Sequence, residues 1–225
     1  MADEKSTNEL KEVTKELTGW DNKILTTLKH LTIKPGQMVT DYCSGKKDGY
    51  LSPVVYYFGV TALETYVVTK IGLLDALMKD VQDSMKEAAP TGIPDKVIDT
   101  LSFLNSEIGQ KIFYLPILLL ATWFVYKRFN RSFAQNSWFT LFILGHTTLL
   151  TMPLMLYWYF LRELDSYTYI ALAFQISYWV WASRIFFNLS IGKAILLKLL
   201  NLILAMLIIS ISGIAITMIY FQFFS

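Results

Sequence analysis

The sequence predicts an all-α, polytopic integral membrane protein, and three observations carry that prediction. Hydrophobic residues make up 54% of the 225-residue chain and charged residues only 17%. The resulting mean hydropathy of +0.41 is well above that of a soluble domain of this length. Five segments are apolar enough, and close enough to about 20 residues, to cross a hydrocarbon core of about 30 Å. Lys and Arg are dense in alternate connections, as expected when positive flanks are retained on the cytoplasmic side.

The five segments are Pro53–Leu74, Ile112–Tyr126, Trp138–Leu161, Tyr167–Phe187 and Ala194–Phe224. The second reaches spanning length only with 108–111 added. The last, at about 45 Å by helical rise, must tilt, project beyond the lipid or bend near Ser212-Gly213. Aromatic residues such as Trp123, Trp138, Tyr157 and Tyr169 stand near segment ends, where amphipathic rings suit the headgroup level. The head before Pro53 holds eight lysines, the next even connection holds Lys127, Arg128 and Arg131, and the last holds Arg184 and Lys193. The other connections are poorer in basic residues, so five crossings with a cytoplasmic N-terminus and an outer C-terminus fit every loop. The first fifty residues contain no apolar signal core, and the first crossing is expected to serve as the signal. The localisation that follows is multi-pass, in the cell (inner) membrane.

Two domains are expected: a cytoplasmic head and interfacial elbow over 1–52, and a five-helix membrane domain over 53–225. Between the first two crossings, about 75–110, apolar residues recur every three or four positions on both sides of "APTGIPD". They predict an outer helical hairpin, its apolar faces meeting each other or lying on the membrane surface. In the head, Ile24, Leu25, Leu28 and Leu31 form the stripe of an amphipathic interfacial helix that Pro35-Gly36 breaks. A second short helix ends near Gly45, and Pro53 opens the first crossing. The punctuation converts a helix lying on the membrane into one passing through it. Lys46 and Lys47 then reach headgroup depth and Tyr50 anchors the interface. These three, with Arg184 and Lys198, are candidates for binding an anionic phospholipid or a partner; the alternative is a structural elbow and topology signal.

The run "LKHLTIKPGQMVTDYCSGKKDGYLSP" joins Pro-Gly, a Tyr, a Gly with two basic residues, and a Tyr and Pro ahead of an apolar segment. It resembles the signature of the bacterial domain-of-unknown-function family 3667. The resemblance implies an inner-membrane protein with no established activity. Many members place a zinc ribbon ahead of the signature, but this chain has no Cys-x-x-Cys pair, so no metal is expected. The overall plan is also similar to that of Yip1-type five-span membrane proteins.

Ionisable residues inside a membrane segment are functional candidates, because they cost several kcal/mol unless paired or wetted. Glu64 lies about 16 Å up the first crossing, His146 about 12 Å up the third, and Gln175 about 12 Å down the fourth, by helical rise. They predict a midplane polar layer, either gluing helices together or carrying a proton. Lys198 and Asn201 are placed near the inner rim, with long basic side chains reaching headgroups. Cys43 is the only cysteine, a plain free thiol or an acylation site. No P-loop, nucleophile elbow or zinc-protease motif is present, so no enzyme, catalytic residue or cofactor is expected. The mild net charge of +2 gives no ground for nucleic acid. The expected partners are the lipid bilayer with its anionic phospholipid, and a membrane protein or a second copy of the chain. The function expected is organisation of lipid or a partner; the alternative is a small proton-linked transporter using Glu64 and His146.

Overall fold

The computed structural model describes residues 22–88 and 115–224, which are helical apart from short connections and include no strand. Helices α1 (22–33) and α2 (Pro35–Cys43) form the elbow. They are followed by α3 (Pro53–Lys70) and α4 (Leu73–Ala88), then α5 (Leu115–Tyr126), α6 (Phe133–Leu161), α7 (Leu164–Phe186) and α8 (Ile191–Phe224). The five apolar segments are therefore helical where described, except that the first, Pro53–Leu74, turns at Ile71–Gly72 and the fourth ends its helix at Phe186. Of the expected outer hairpin, α4 occupies the first arm; 89–114 lie outside the described residues.

Local chemistry sets most boundaries. Pro35 and Pro53 open α2 and α3, where a missing N–H leaves no bond unmade and the fixed φ suits a helix. The Ser52 hydroxyl accepts from the Val55 amide at 3.2 Å, capping α3. Ser132 and Gln135 close a reciprocal capping box at the start of α6. Asn130 and Asn188, both at φ 53°, turn the chain in the left-handed region just before α6 and α8. Pro153 lies inside α6 and cannot donate to the carbonyl of Leu149.

Helix directions alternate. Tyr57 lies against Gly145, and Val68 clusters with Met155 and Trp158, so α3 runs parallel to α6. Phe139 stacks on Phe186 while Trp158 clusters with Tyr167, so α7 runs antiparallel to α6. Leu115 joins Leu141, and Trp123 meets Phe133, which makes α5 antiparallel as well. Thr122 meets Asn201 and Phe129 meets Lys193, so α8 runs with α3 and α6.

The elbow shares the core of this bundle. Leu31, Met38, Val39 and Tyr42 are buried in one cluster with Phe139, Phe142 and Phe186. Helix α2 crosses from α7 to α6, and Gly36 permits the first contact. A Cβ there would collide with the Ala182 carbonyl oxygen and stand 2.6 Å from Ile185 Cβ. Of the α1 stripe, Leu31 is buried and Leu28 packs against this cluster, while Ile24 is half-buried and Leu25 stays 64% exposed, so only its C-terminal part is set into the bundle.

The outward faces are apolar: Leu63, Phe124, Phe160, Leu196 and Met206 are among many exposed large side chains. Two described helices, Phe133–Leu161 and the Ile191–Ser212 part of α8, are long and apolar enough to cross a membrane. In α3 and α7 the apolar residues are diluted by Tyr, Thr, Ser, Gln and charged residues, and α5 has twelve described residues.

Replacing Gly36 with Val is expected to lower stability by about 1–3 kcal/mol through overpacking, seen as a lower unfolding midpoint in detergent. Gly59→Ala is the control: a Cβ there meets nothing within 4 Å. On that exposed helix face the change should stabilise by about 0.5–1 kcal/mol. A Gly36→Val protein as stable as its parent would contradict the seating of α2 on α7.

Candidate functional site

Two groups of polar side chains concentrate where the elbow meets the bundle. The first centres on His146, fully buried on α6. Its Nδ1 lies 2.6 Å from the Tyr56 hydroxyl on α3, and its Nε2 lies 3.0 Å from Thr32 Oγ1 near the end of α1. Thr32 already donates to the Leu28 carbonyl at 2.8 Å, leaving its oxygen to accept. A complete set of donors and acceptors then has neutral His146 donating from Nε2 to Thr32 and Tyr56 donating to Nδ1. Beside them the Tyr178 hydroxyl of α7 donates to the Leu31 carbonyl at 2.8 Å. Helix ends leave carbonyls without intrahelical partners, and this bond satisfies one of them inside the protein. Four elements thus close on a single imidazole.

The expected midplane layer is only partly assembled. Both ring nitrogens of His146 are engaged by Tyr56 and Thr32, which the sequence reading did not place there. Glu64 is 2% exposed on α3 and shares a buried face with Tyr57 and Thr61. It stands seven residues, about 10 Å of helical rise, beyond Tyr57, whose backbone touches Gly145. Gln175 is half-buried on α7, one turn from Tyr178.

The second group is basic. Lys46 Nζ meets Asp41 Oδ1 at 3.1 Å, the one ion pair among the described residues. Lys47 Nζ sits 4.7 Å from the centre of the Trp138 ring and 5.6 Å from that of Tyr42, a cation–π arrangement. The Tyr50 hydroxyl and His30 Nδ1 are 2.9 Å apart. Burial, then Lys34 and Lys29, holds His30 below the ordinary imidazole value, so this ring is neutral near pH 7. Burial pushes the Cys43 thiol up to about 11 against the pull of Arg131 and Lys47, which leaves it a protonated thiol at neutral pH.

Lys46, Lys47 and Tyr50 therefore stand together at one end of the bundle, with Arg184 exposed on the last turn of α7. Lys198 does not join them. It is 8% exposed and its ammonium lies 3.9 Å over the Trp179 ring, facing α7 rather than headgroups. Asn201, also expected at the inner rim, is buried and donates to Thr122 Oγ1 at 3.3 Å. The rotation of α8 decides both cases, and depth along the helix does not reveal it. Arg131 was read only as a topology charge, yet its Nη2 donates to the Phe186 carbonyl at 2.9 Å and its guanidinium stacks on that ring. Among the described residues no three His, Cys, Asp or Glu side chains gather as metal ligands would.

Tyr56→Phe removes the donor to Nδ1 and leaves a buried ring nitrogen unsatisfied, a loss of about 1–3 kcal/mol. Limited proteolysis of the purified protein should then cut α1 and its junction with α2 faster than in the parent. An unchanged cleavage rate and unfolding midpoint would mean that the imidazole does not hold the elbow.

Comparison with known proteins recovers this same region. Residues 21–64 match the model of a family described as a protein of unknown function, DUF3667. The match takes in α1, α2 and most of α3, with Thr32 and Tyr56 inside it and His146 outside. No curated protein and no solved structure matches the chain. Over residues 21–64, through the elbow and most of the helix it introduces, the chain is similar to the DUF3667 family.

Proposed function

We propose that this is a multi-pass membrane protein, with no catalytic role, that organises anionic lipid or a protein partner at its basic end. Helices α3, α5, α6, α7 and α8 cross the inner membrane, and the elbow is set into the cytoplasmic face. The observation that carries this reading is the gathering of charge produced by alternating helix directions. Lys46, Lys47, Lys127, Arg128, Arg131, Arg184 and Lys193 fall at the end where α3, α6 and α8 begin. The described part of the opposite end mixes Lys70, Lys79 and Arg162 with Asp75, Asp80, Asp83, Glu163 and Asp165. An anionic leaflet favours each nearby basic side chain by about 1 kcal/mol, so the first end is suited to such a surface. Apolar outer faces support immersion in lipid, since soluble monomers rarely expose contiguous apolar patches beyond a few hundred Å². The proton-linked alternative retains buried Glu64 in its favour, but His146 is already committed to holding the elbow.

Replacing Lys46 and Lys47 together with Gln should weaken binding of the purified protein to phosphatidylglycerol liposomes about tenfold at low salt, with little change on phosphatidylcholine. Equal binding by parent and variant would remove the elbow from this role. Reporter fusions after Phe129 and Ser225 should read opposite sides of the membrane. Both reporting one side would overturn the five-crossing arrangement.

A further inference from the structure

A groove of about 520 Å³ runs between α5 and α8, away from the elbow lysines Lys46 and Lys47. That volume lies within the range of small-molecule sites. At its mouth stand Lys127 and Arg128, in the 3-10 turn that follows α5, and Lys193 in the first turn of α8. Deeper in, its walls are apolar and include Phe124, Leu200 and Leu204. From Lys193 to Leu204 the groove follows α8 for about 16 Å of helical rise. Among the described residues no carboxylate lines it. Aromatic faces, rather than acids, hold two of the cations: Lys127 Nζ is 4.1 Å from the centre of the Phe124 ring, and Lys193 Nζ is 5.1 Å from that of Phe129. Neither positive charge is neutralised by a described carboxylate, so both remain available to an anion.

We propose that this groove binds one anionic glycerophospholipid, its phosphate headgroup between Lys127, Arg128 and Lys193 and an acyl chain along Phe124, Leu200 and Leu204. The inference rests on the membrane reading above, which puts the three cations at headgroup depth, but it is independent of the elbow lysines. The charge pattern selects the occupant. A zwitterionic lipid would offer the same chain but bring its ammonium against three cations. Free phosphate would leave the apolar wall uncovered, and an apolar peptide would leave the cations without an anion.

The test uses the full chain in nanodiscs made from a phosphatidylglycerol and phosphatidylcholine mixture, with retained lipid counted by native mass spectrometry after release. The parent should retain phosphatidylglycerol in preference to phosphatidylcholine, and 10 mM inorganic phosphate should not displace it, a concentration on the order of weak phosphate-ion binding. The preference should fall at least about tenfold when Lys127, Arg128 and Lys193 are all changed to Gln. It should fall similarly in Leu200→Trp, which fills the wall and leaves every charge in place. The Lys46→Gln, Lys47→Gln protein should keep the preference. If Leu200→Trp retains phosphatidylglycerol while the Gln variant loses it, attraction is to the surface alone and the groove is not the site. Retention by both groove variants, or displacement by inorganic phosphate, also overturns the proposal. Loss in the elbow variant alone would overturn the groove while leaving the elbow reading intact.

Discussion

A helix that ends inside an apolar interior leaves carbonyls without partners, and everything at the elbow end depends on how that requirement is met. The chain breaks between α1 and α2 with Leu31 and Pro35 buried against the bundle and Thr32 to Lys34 exposed. Tyr178 supplies a donor to the Leu31 carbonyl, and His146 reaches Thr32 while Tyr56 completes the imidazole. Buried polar groups are costly only when unmet, so these bonds let a helix break stand where apolar packing alone would exclude it. With the break seated, Gly36 can press on Ala182 and Tyr42 can enter the aromatic cluster around Phe142.

The same seating explains the placement of charge. Because α1 and α2 are part of the core, the loop from Ser44 to Ser52 is held against the start of α3 and α6. There the Thr27 hydroxyl accepts from the Leu51 amide at 3.0 Å. Lys47 is fixed over Trp138, and Arg131 is fixed on Phe186 at the end of α7. At the basic end Lys47, Lys127, Arg131 and Lys193 thus lie over aromatic rings, while Lys46 pairs with Asp41. The two proposed lipid contacts, at the elbow and between α5 and α8, lie on different faces of that end and draw on different residues.

Much of this was legible in the sequence. Length and apolar content located five helices, and Pro35 marked a break and Pro53 a helix start because proline has a local chemical effect that tertiary context does not alter. The signature from Pro35 to Pro53 was readable for the same reason, as spacing along one chain. What stayed hidden was facing. One residue turns a helix by about 100°, so counting from a segment end gives depth but not direction. Lys198 and Asn201 looked like rim residues and point inward; His146 was placed at a sensible depth, but its neighbours Tyr56 and Thr32 could only be found once α3 and α1 were laid beside α6. Nothing in the one-dimensional pattern separates Tyr56 and Tyr178, whose hydroxyls are needed inside, from rings such as Tyr157 and Tyr169 near segment ends.

Helix α8 shows what that hidden facing does. Over its described side chains, the buried positions are Ala194, Lys198, Asn201 and Ala205, spaced four, three and four residues apart. All are small or polar, on a helix whose other sides are largely aliphatic. The seam works like the bitting of a key: the oily shaft fits at any rotation, and four modest notches choose one. Turning α8 by a single position would carry the Lys198 ammonium off the Trp179 ring and the Asn201 carboxamide off Thr122, so these polar contacts choose a rotation that the aliphatic faces leave open.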